Sequence, residues 1–460
     1  MDSLAAPILP KPEPPPKPLP FWKFIRAARD NNLATIPASA YLEPILEFKV
    51  LWFRGFILSD PEGIGHVLLD KFANYAKAEE DIRLLVPMIG NGLFTSEGET
   101  WRAHRRIMAP AFDSRSLALY APVVTDVAAA LAESWAALPA GTVVDVAASM
   151  MQATLQVVSR TMFSTDSDGI IEIVRTAFEH YVEHFPVGLI DLVPFFGPWR
   201  ARRLMQFGRD VFARFDAAYE RIAMERSGAP GEGPNDLLHR LIAARDEESG
   251  SVMSAREVRD QVATIFLAGH ETTAQTLTWV LFLLSRHPAE EARLHAELDL
   301  VLDGRLPTLK DLPLLPYTRR VIEEAMRLYP PVSSLPARKA LADDIVCGQR
   351  IAKGTIIGIH PWVVHRHHRL WDDPDRFDPE RFTPERVAAR PRFAYLPFGG
   401  GPRICIGAAF AMNEAMLILA TLAQRFRLRL ERTCRVEPQA VLTLRPRWGM
   451  KMVLEPRRAG

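Results

Sequence analysis

A mainly helical chain with a smaller β-region, folded as a single large domain, is what this sequence predicts, on three observations. Apolar residues recur at helical spacing over long stretches, most plainly from Leu117 to Arg226 and from Ser254 to Arg286. Strand-like runs are short and few, at Leu46–Leu58, Asp344–Gly358, Phe426–Glu431 and Ala440–Leu454. Length alone, at 460 residues, would suggest about three domains. The chemistry-bearing motifs, however, run from Trp101 to Cys405 and would have to converge on one ligand, which favours one large core.

Composition narrows the class. The chain is 48% hydrophobic with a net charge of +1, so a large core is expected and no global basic field points to nucleic acid. Cys347, Cys405 and Cys434 are too few in so long a chain for a disulfide framework, which points to a reducing cytoplasm. No stretch of about 18 uninterrupted apolar residues suggests a transmembrane anchor.

Eight of the first twenty residues are proline. Residues 1–20 are therefore expected to form a polyproline II arm, disordered or laid on the surface, ahead of a folded body spanning 21–460. Phe21 to Asn31 reads as a short amphipathic helix, packed on the body or dipping its aromatic cluster into a membrane surface. Leu46 to Leu58 reads as a β-hairpin broken near Arg54-Gly55, and Asp60-Pro61 starts a helix. Gly98 opens a basic helix on which Trp101 and Arg105, four apart, can point an indole N–H and a guanidinium at one anionic target.

The middle of the chain, Leu117 to Arg226, offers helices with Pro and Gly breaks and aromatic residues such as Phe178, Tyr181, Phe185, Phe195 and Phe196, followed by a flexible loop from Gly228 to Pro234. Ser254-Ala-Arg-Glu257 is a capping box, and the helix it opens runs to Arg286 before His287-Pro288 ends it. Midway lies Ala268-Gly269-His270-Glu271-Thr272-Thr273. Polar groups inside a buried helix are costly, so this run is either a solvent-facing strip or a site. Ala268 and Gly269 would admit a flat ligand to the backbone, and Thr272 shares their face; Glu271 could relay protons.

Tyr317 to Leu328 reads as a helix carrying Glu324 and Arg327, and Arg381 follows in Phe377-Asp-Pro-Glu-Arg-Phe382. Between them come Val332–Leu335, Arg338 and a hairpin over Asp344–Gly358 with Cys347 as a strand residue. Last is Phe398-Gly-Gly-Gly-Pro-Arg-Ile-Cys-Ile-Gly407, running into the apolar helix Ala408–Ala420. Its glycines permit positive φ and close backbone approach, Pro402 fixes the bend, and Cys405 sits at the tip beside a helix N-terminus, which favours thiolate. Arg403 could add its charge there. With no second Cys or His at zinc spacing, an axial haem ligand suits this sulfur better than a structural metal, while a buried structural cysteine, a phosphate cradle and a cysteine nucleophile stay open. Beyond the loop, Leu442–Leu444 would form a turn.

At Phe398, Gly399, Gly401, Arg403, Cys405 and Gly407 this pattern resembles the haem-binding loop of cytochrome P-450 monooxygenases, and four further motifs stand in that family's order. The resemblance implies a cytochrome P-450 fold binding haem b through Cys405 iron ligation. It implies that Trp101, Arg105, Arg338 and Arg403 hold the haem propionates or edge, with Ala268 and Gly269 over its face. Glu271 and Thr272 would be the acid-alcohol pair of oxygen activation, and Glu324, Arg327 and Arg381 a buried structural network. It further implies a soluble, monomeric monooxygenase that hydroxylates or epoxidises a hydrophobic small molecule with O2, drawing electrons from a separate ferredoxin or flavodoxin. Arg102, His104, Arg105 and Arg106 would dock that donor. The alternatives are a non-enzymatic haem sensor and a peroxide-using haem-thiolate enzyme.

Overall fold

The structure, a computed structural model, describes residues 8–50, 53–164, 176, 197–227, 236–246 and 248–457. The aromatic residues at 178, 181, 185, 195 and 196 and the loop at 228–234 lie outside these residues. The longer helices are α1 (Phe21–Asp30), α2 (Glu79–Ile89), α3 (Gly98–Met108), α4 (Ser114–Ala136), α5 (Val146–Phe163), α6 (Gly197–Ser227), α7 (Leu237–Ala243), α8 (Ala255–Arg286), α9 (Pro288–Leu302), α10 (Pro316–Leu328) and α11 (Ala408–Arg425). Contacts divide the chain into two compact units. One comprises residues 1–76, 124–153 and 272–460, the other 77–123 and 154–271.

The first unit holds the strands. β1 (Ile45–Val50), β2 (Phe53–Leu58), β8 (Ile356–Gly358), β5 (Arg338–Ala340) and β3 (Tyr75–Lys77) form one sheet in that order. β4 (Val143–Asp145), β12 (Lys451–Pro456) and β9 (Phe426–Leu430) form another, while β6 (Asp344–Val346) pairs with β7 (Gln349–Ile351) and β10 (Pro438–Ala440) with β11 (Leu444–Pro446). Phe56, Leu58 and Ile357 of the larger sheet share a core with Ile351 of β7 and with Ile359, Ile64, Val67 and Leu68.

Several local expectations change. The β1–β2 reversal falls between Val50 and Phe53 rather than at Arg54-Gly55, which pair with Lys49 and Phe48 inside β2. Gly55 is there for space: a Cβ would lie 2.6 Å from the Phe48 ring and 2.9 Å from the Ile356 carbonyl oxygen of the neighbouring strand. Cys347 is an exposed turn residue between β6 and β7, with φ of 48°, and not a strand residue. The segment Ala440–Leu454 contributes to three short strands, β10, β11 and β12, and the strand β4 between α4 and α5 had no sequence signal strong enough to place it.

Helix α4 is long and apolar enough to cross a membrane by composition. Its buried residues Leu117, Tyr120, Ala121, Val124, Val127, Ala128, Ala132 and Trp135 recur at helical spacing, the pattern of a one-sided core helix. The proline arm is laid on the first unit. Ala38 N–H donates to the Pro15 carbonyl at 2.9 Å, the Tyr329 hydroxyl to the Pro10 carbonyl at 3.0 Å, and Lys11 pairs with Asp375.

In the second unit, α8 begins as the capping box requires. Ser254 N–H donates to Glu257 at 2.8 Å and Glu257 N–H to the Ser254 hydroxyl at 3.3 Å. Phe163 of α5 stacks on Phe266 of α8 with ring centroids 5.5 Å apart, and Phe215 of α6 meets Phe266 edge-on at 6.3 Å.

Candidate active site

Within the first unit the Phe398–Gly407 loop is held by its backbone. Gly399 and Gly401 have φ of 73° and 66°, the left-handed region that an L side chain strains to adopt. At Gly401 a Cβ would also lie 1.9 Å from the Leu68 carbonyl oxygen, so two backbones cross where only glycine fits. The Cys405 N–H donates to the Phe398 carbonyl at 2.9 Å, closing the loop. Cys405 is left exposed, three residues before α11 begins. The Arg403 guanidinium lies 5.9 Å from the Phe72 ring centroid, within cation–π reach.

Leu335 lies beside this loop, and the same unit holds two other segments the sequence singled out. Leu335 Cδ2 lies 3.8 Å from where a Gly399 Cβ would sit, and the Leu335 N–H donates to Ile359 at 2.9 Å. Arg338 is buried, with Nη1 donating to the Pro336 carbonyl at 2.6 Å. The β10–β11 turn at residues 441–443 is tied in through the Leu444 N–H, which donates to Pro331 at 2.8 Å, and the Trp279 indole N–H of α8, which donates to the Leu444 carbonyl at 2.9 Å.

The buried network is complete. Glu324 and Arg327 are fully buried and bidentate, with both N···O distances 2.7 Å. The remaining Arg327 donors reach the carbonyls of His365, Pro374 and Arg376 at 2.9, 2.7 and 2.9 Å, so these bonds tie α10 to two other stretches of chain. Arg381 joins as an ion pair, its Nε 3.6 Å from Glu324, and burial holds its guanidinium below the usual arginine range.

Helix α8 is buried along most of its length, yet Ala268 is exposed, and Ile265 and Thr272 are half-buried with it at i, i+3 and i+7. One helical face is thus open at the polar run. Glu271 is also half-buried. The Thr272 carbonyl accepts from the Thr276 hydroxyl at 3.0 Å. Gly269 serves packing as well: its Cβ would lie 3.1 Å from Val158 of α5. On α3, Trp101 is buried and Arg105 half-buried.

The docking cluster read on α3 needs correction. His104 is buried, with Nε2 3.2 Å from Glu257 at the start of α8, so it belongs to the helix contact. Arg106 is forked onto Asp246 at 2.8 and 2.9 Å and holds that carboxyl well below the usual range. Arg102 is exposed beside Glu99.

Two polar residues near the motifs escaped the sequence reading. Thr154 of α5, fully buried, donates to the His270 carbonyl at 2.8 Å. Glu414 of α11 is fully buried, and neither carboxyl oxygen has a well-aligned partner among the described residues. Burial pushes its carboxyl up to about 8, against a smaller pull from the Thr273 hydroxyl. Neither residue carries a local motif that would have marked it.

Among the described residues no cluster of three or more His, Cys, Asp or Glu could hold a metal ion. A metal bound through Cys405 would therefore need most of its ligands from a cofactor. Within the first unit, an exposed sulfur on a glycine-tightened loop and the guanidinium groups of Arg338 and Arg403 are the chemistry that suits an anionic macrocycle such as haem.

A model of the cytochrome P450 family matches residues 12–451. The chain is 40% identical over 382 residues to cyclooctatin synthase of Streptomyces melanosporofaciens, across 81% of this chain and 80% of that protein. It is 37% identical over 409 residues to cyclooctat-9-en-7-ol 5-monooxygenase of the same organism, across 86% and 84%. With pentalenene oxygenase of Streptomyces avermitilis it shares 37% over 361 residues, across 77% and 78%. The crystal structure of the cytochrome P450DA heme domain is similar with a TM-score of 0.83 at 28% identity, covering 98% of this chain and 99% of that one.

Proposed function

The chain belongs to the cytochrome P450 family, and on that premise we propose which of its residues carry the chemistry. The protein is a haem-dependent monooxygenase that inserts one oxygen atom from O2 into a hydrophobic organic substrate, with electrons from a redox partner. The sensor and peroxide-driven alternatives are not favoured.

Cys405 is assigned as the thiolate that holds haem b. The observation that carries this is the loop itself: backbone that only glycine can adopt presents one exposed sulfur just ahead of a helix. Bound haem supplies O2 activation, with the thiolate favouring O–O cleavage. Trp101, Arg105, Arg338 and Arg403 would bind its carboxylates, Phe398 and Gly407 flank the sulfur, and Ala268 and Gly269 leave room above the ring. Thr272 Oγ1 would donate a hydrogen bond toward the oxygen site, and the Glu271 carboxyl would hand protons to it through water. Glu324, Arg327 and Arg381 keep the loop's surroundings in register.

Substrate class follows from the relatives. Enzymes named for cyclooctat-9-en-7-ol and pentalenene point to a cyclic terpenoid here. The electron donor is assigned as a separate ferredoxin or flavodoxin, and the protein as a cytoplasmic monomer, a reading helped by three cysteines that form no disulfide. Residues 21–460 are assigned as the haem domain and 1–20 as its proline-rich N-terminal arm.

Cys405→Ser provides the test. The reduced, carbon monoxide-bound wild-type protein is expected to show the thiolate-ligated difference band, and the variant to lose it while keeping its fold by circular dichroism. An unchanged band in the variant would refute the assignment. Titration of the wild type with cyclic terpene alcohols should shift the haem spin state.

A further inference from the structure

We propose that Thr154 is a positioning residue for the Glu271–Thr272 pair, its hydroxyl fixing the peptide plane between His270 and Glu271. The inference rests on the role assigned to that pair above. Its geometry is independent of it. Thr154 lies on α5, 116 residues from His270, and donates to the His270 carbonyl at 2.8 Å from a fully buried position.

That carbonyl is an unusual target. In an α-helix it is the acceptor for the N–H four residues on, here Ala274. A hydroxyl arriving from a neighbouring helix competes for the same oxygen, tilts the carbonyl outward and sets the orientation of its peptide unit. The peptide unit concerned is the one that enters Glu271. Because Thr154 is fully buried, water does not take the place of the lost hydroxyl, and the plane is free to relax back into the helix ladder.

Two further contacts show that α5 is built to hold this stretch. One turn after Thr154, Val158 lies 3.1 Å from where a Gly269 Cβ would be, and Phe163 stacks on Phe266. The three α5 positions thus meet residues 270, 269 and 266 of α8 in reverse order. The contacts at Val158 and Phe163 are apolar and tolerate small shifts. The Thr154 hydroxyl, at the other end of the row, is directional and supplies the orientation.

Three variants test this. Thr154→Val keeps the volume and loses the hydroxyl, Thr154→Ala does so without placing a methyl against the carbonyl, and Thr154→Ser keeps the hydroxyl. In holoenzyme with surrogate ferredoxin, reductase and a terpenoid that shifts the spin state, the peroxide released per reduced cofactor should rise about three- to five-fold in Val and Ala, the scale of one buried hydrogen bond. Ser should restore coupling, and all three should keep the carbon monoxide band. Hydrogen exchange of peptides covering residues 265–274 should quicken in Val and Ala and not in Ser, a readout that needs no turnover. Wild-type coupling and exchange in Val and Ala would overturn the inference. Thr272→Ala runs alongside: uncoupling there but not in Thr154→Val or Thr154→Ala overturns this inference alone, whereas no uncoupling there overturns the pair's role and the inference with it.

Discussion

Glu414 stands on the helix that follows the Cys405 loop, fully buried and without a cation to pair with among the groups that shift its titration. A carboxylate so placed is costly, and the site avoids the cost by keeping the proton. In the unfolded chain this carboxyl ionises near 4.5, in the folded one at about 8. Between those values the native state binds one proton more than the unfolded state, so this group's contribution to stability falls as pH rises through that window and levels off above it. The direction is opposite to that of Asp246, whose carboxyl the Arg106 fork holds down. Glu414→Gln removes the titration while keeping the shape. We expect the variant to gain on the wild type steadily from about pH 5 to pH 8, by on the order of 2–4 kcal/mol at the upper end. Urea midpoints of the two proteins across that range measure it, and a difference that stays constant with pH would show that Glu414 is not held neutral. The slope is diagnostic, because the buried amide adds only a pH-independent offset.

The elements that build the site depend on close backbone approaches as much as on side chains. Gly401→Ala would push a methyl into the Leu68 carbonyl and strain a positive φ together, so we expect haem content to fall several-fold, with a loss of about 2–4 kcal/mol in whatever folds. Gly399→Ala shares the φ and meets only Leu335 at 3.8 Å, so it should retain more haem; equal loss in both would make φ, not the crossing, the cause. The same contrast shows what could be read from sequence. The Cys405 loop, the Ser254–Glu257 box and the Glu324–Arg327 pair were legible because their geometry is local: turn glycines, a cap three residues from its partner, one helical turn. Gly55 was misread because a glycine needed for space and one needed for a turn look alike until the neighbouring strand is present. His104 read as a docking group because its partner, Glu257, lies 153 residues away, and Thr154 went unnoticed for the same reason. Short strands such as β4, β10 and β11 are set by pairing rather than by pattern, which is why Ala440–Leu454 read as one strand.

On the scale of the whole molecule, the proline arm is where composition and structure diverge most usefully. Proline-rich sequence argues for an extended, unpaired chain, and residues 8–20 are indeed without helix or strand. An extended chain of fixed φ also loses little entropy when it docks, so few contacts suffice to hold it. Here Leu9 is buried, the Pro10 carbonyl accepts from Tyr329, and Lys11 meets Asp375. Tyr329 in turn stacks on Trp279 of α8 with ring centroids 4.1 Å apart, and Asp375 lies 3.6 Å from Arg366, itself over the Trp362 ring. The arm therefore supplies the acceptor for a buried hydroxyl and meets the carboxylate that faces a buried guanidinium. Removing residues 1–20 should leave the carbon monoxide band and substrate-induced spin shift unchanged, because the arm's bonds at Pro10, Lys11 and Pro15 go to Tyr329, Asp375 and Ala38, none of them an assigned haem residue. It should destabilise the protein by about 2–3 kcal/mol, from one buried Leu side chain and an uncovered polar pair. In a chain of this size that corresponds to a melting temperature only a few degrees lower, since each kcal/mol is spread over a large unfolding entropy. A melting temperature equal to that of the full chain would mean the strap adds nothing, and a loss of the haem band would mean it acts on the site itself.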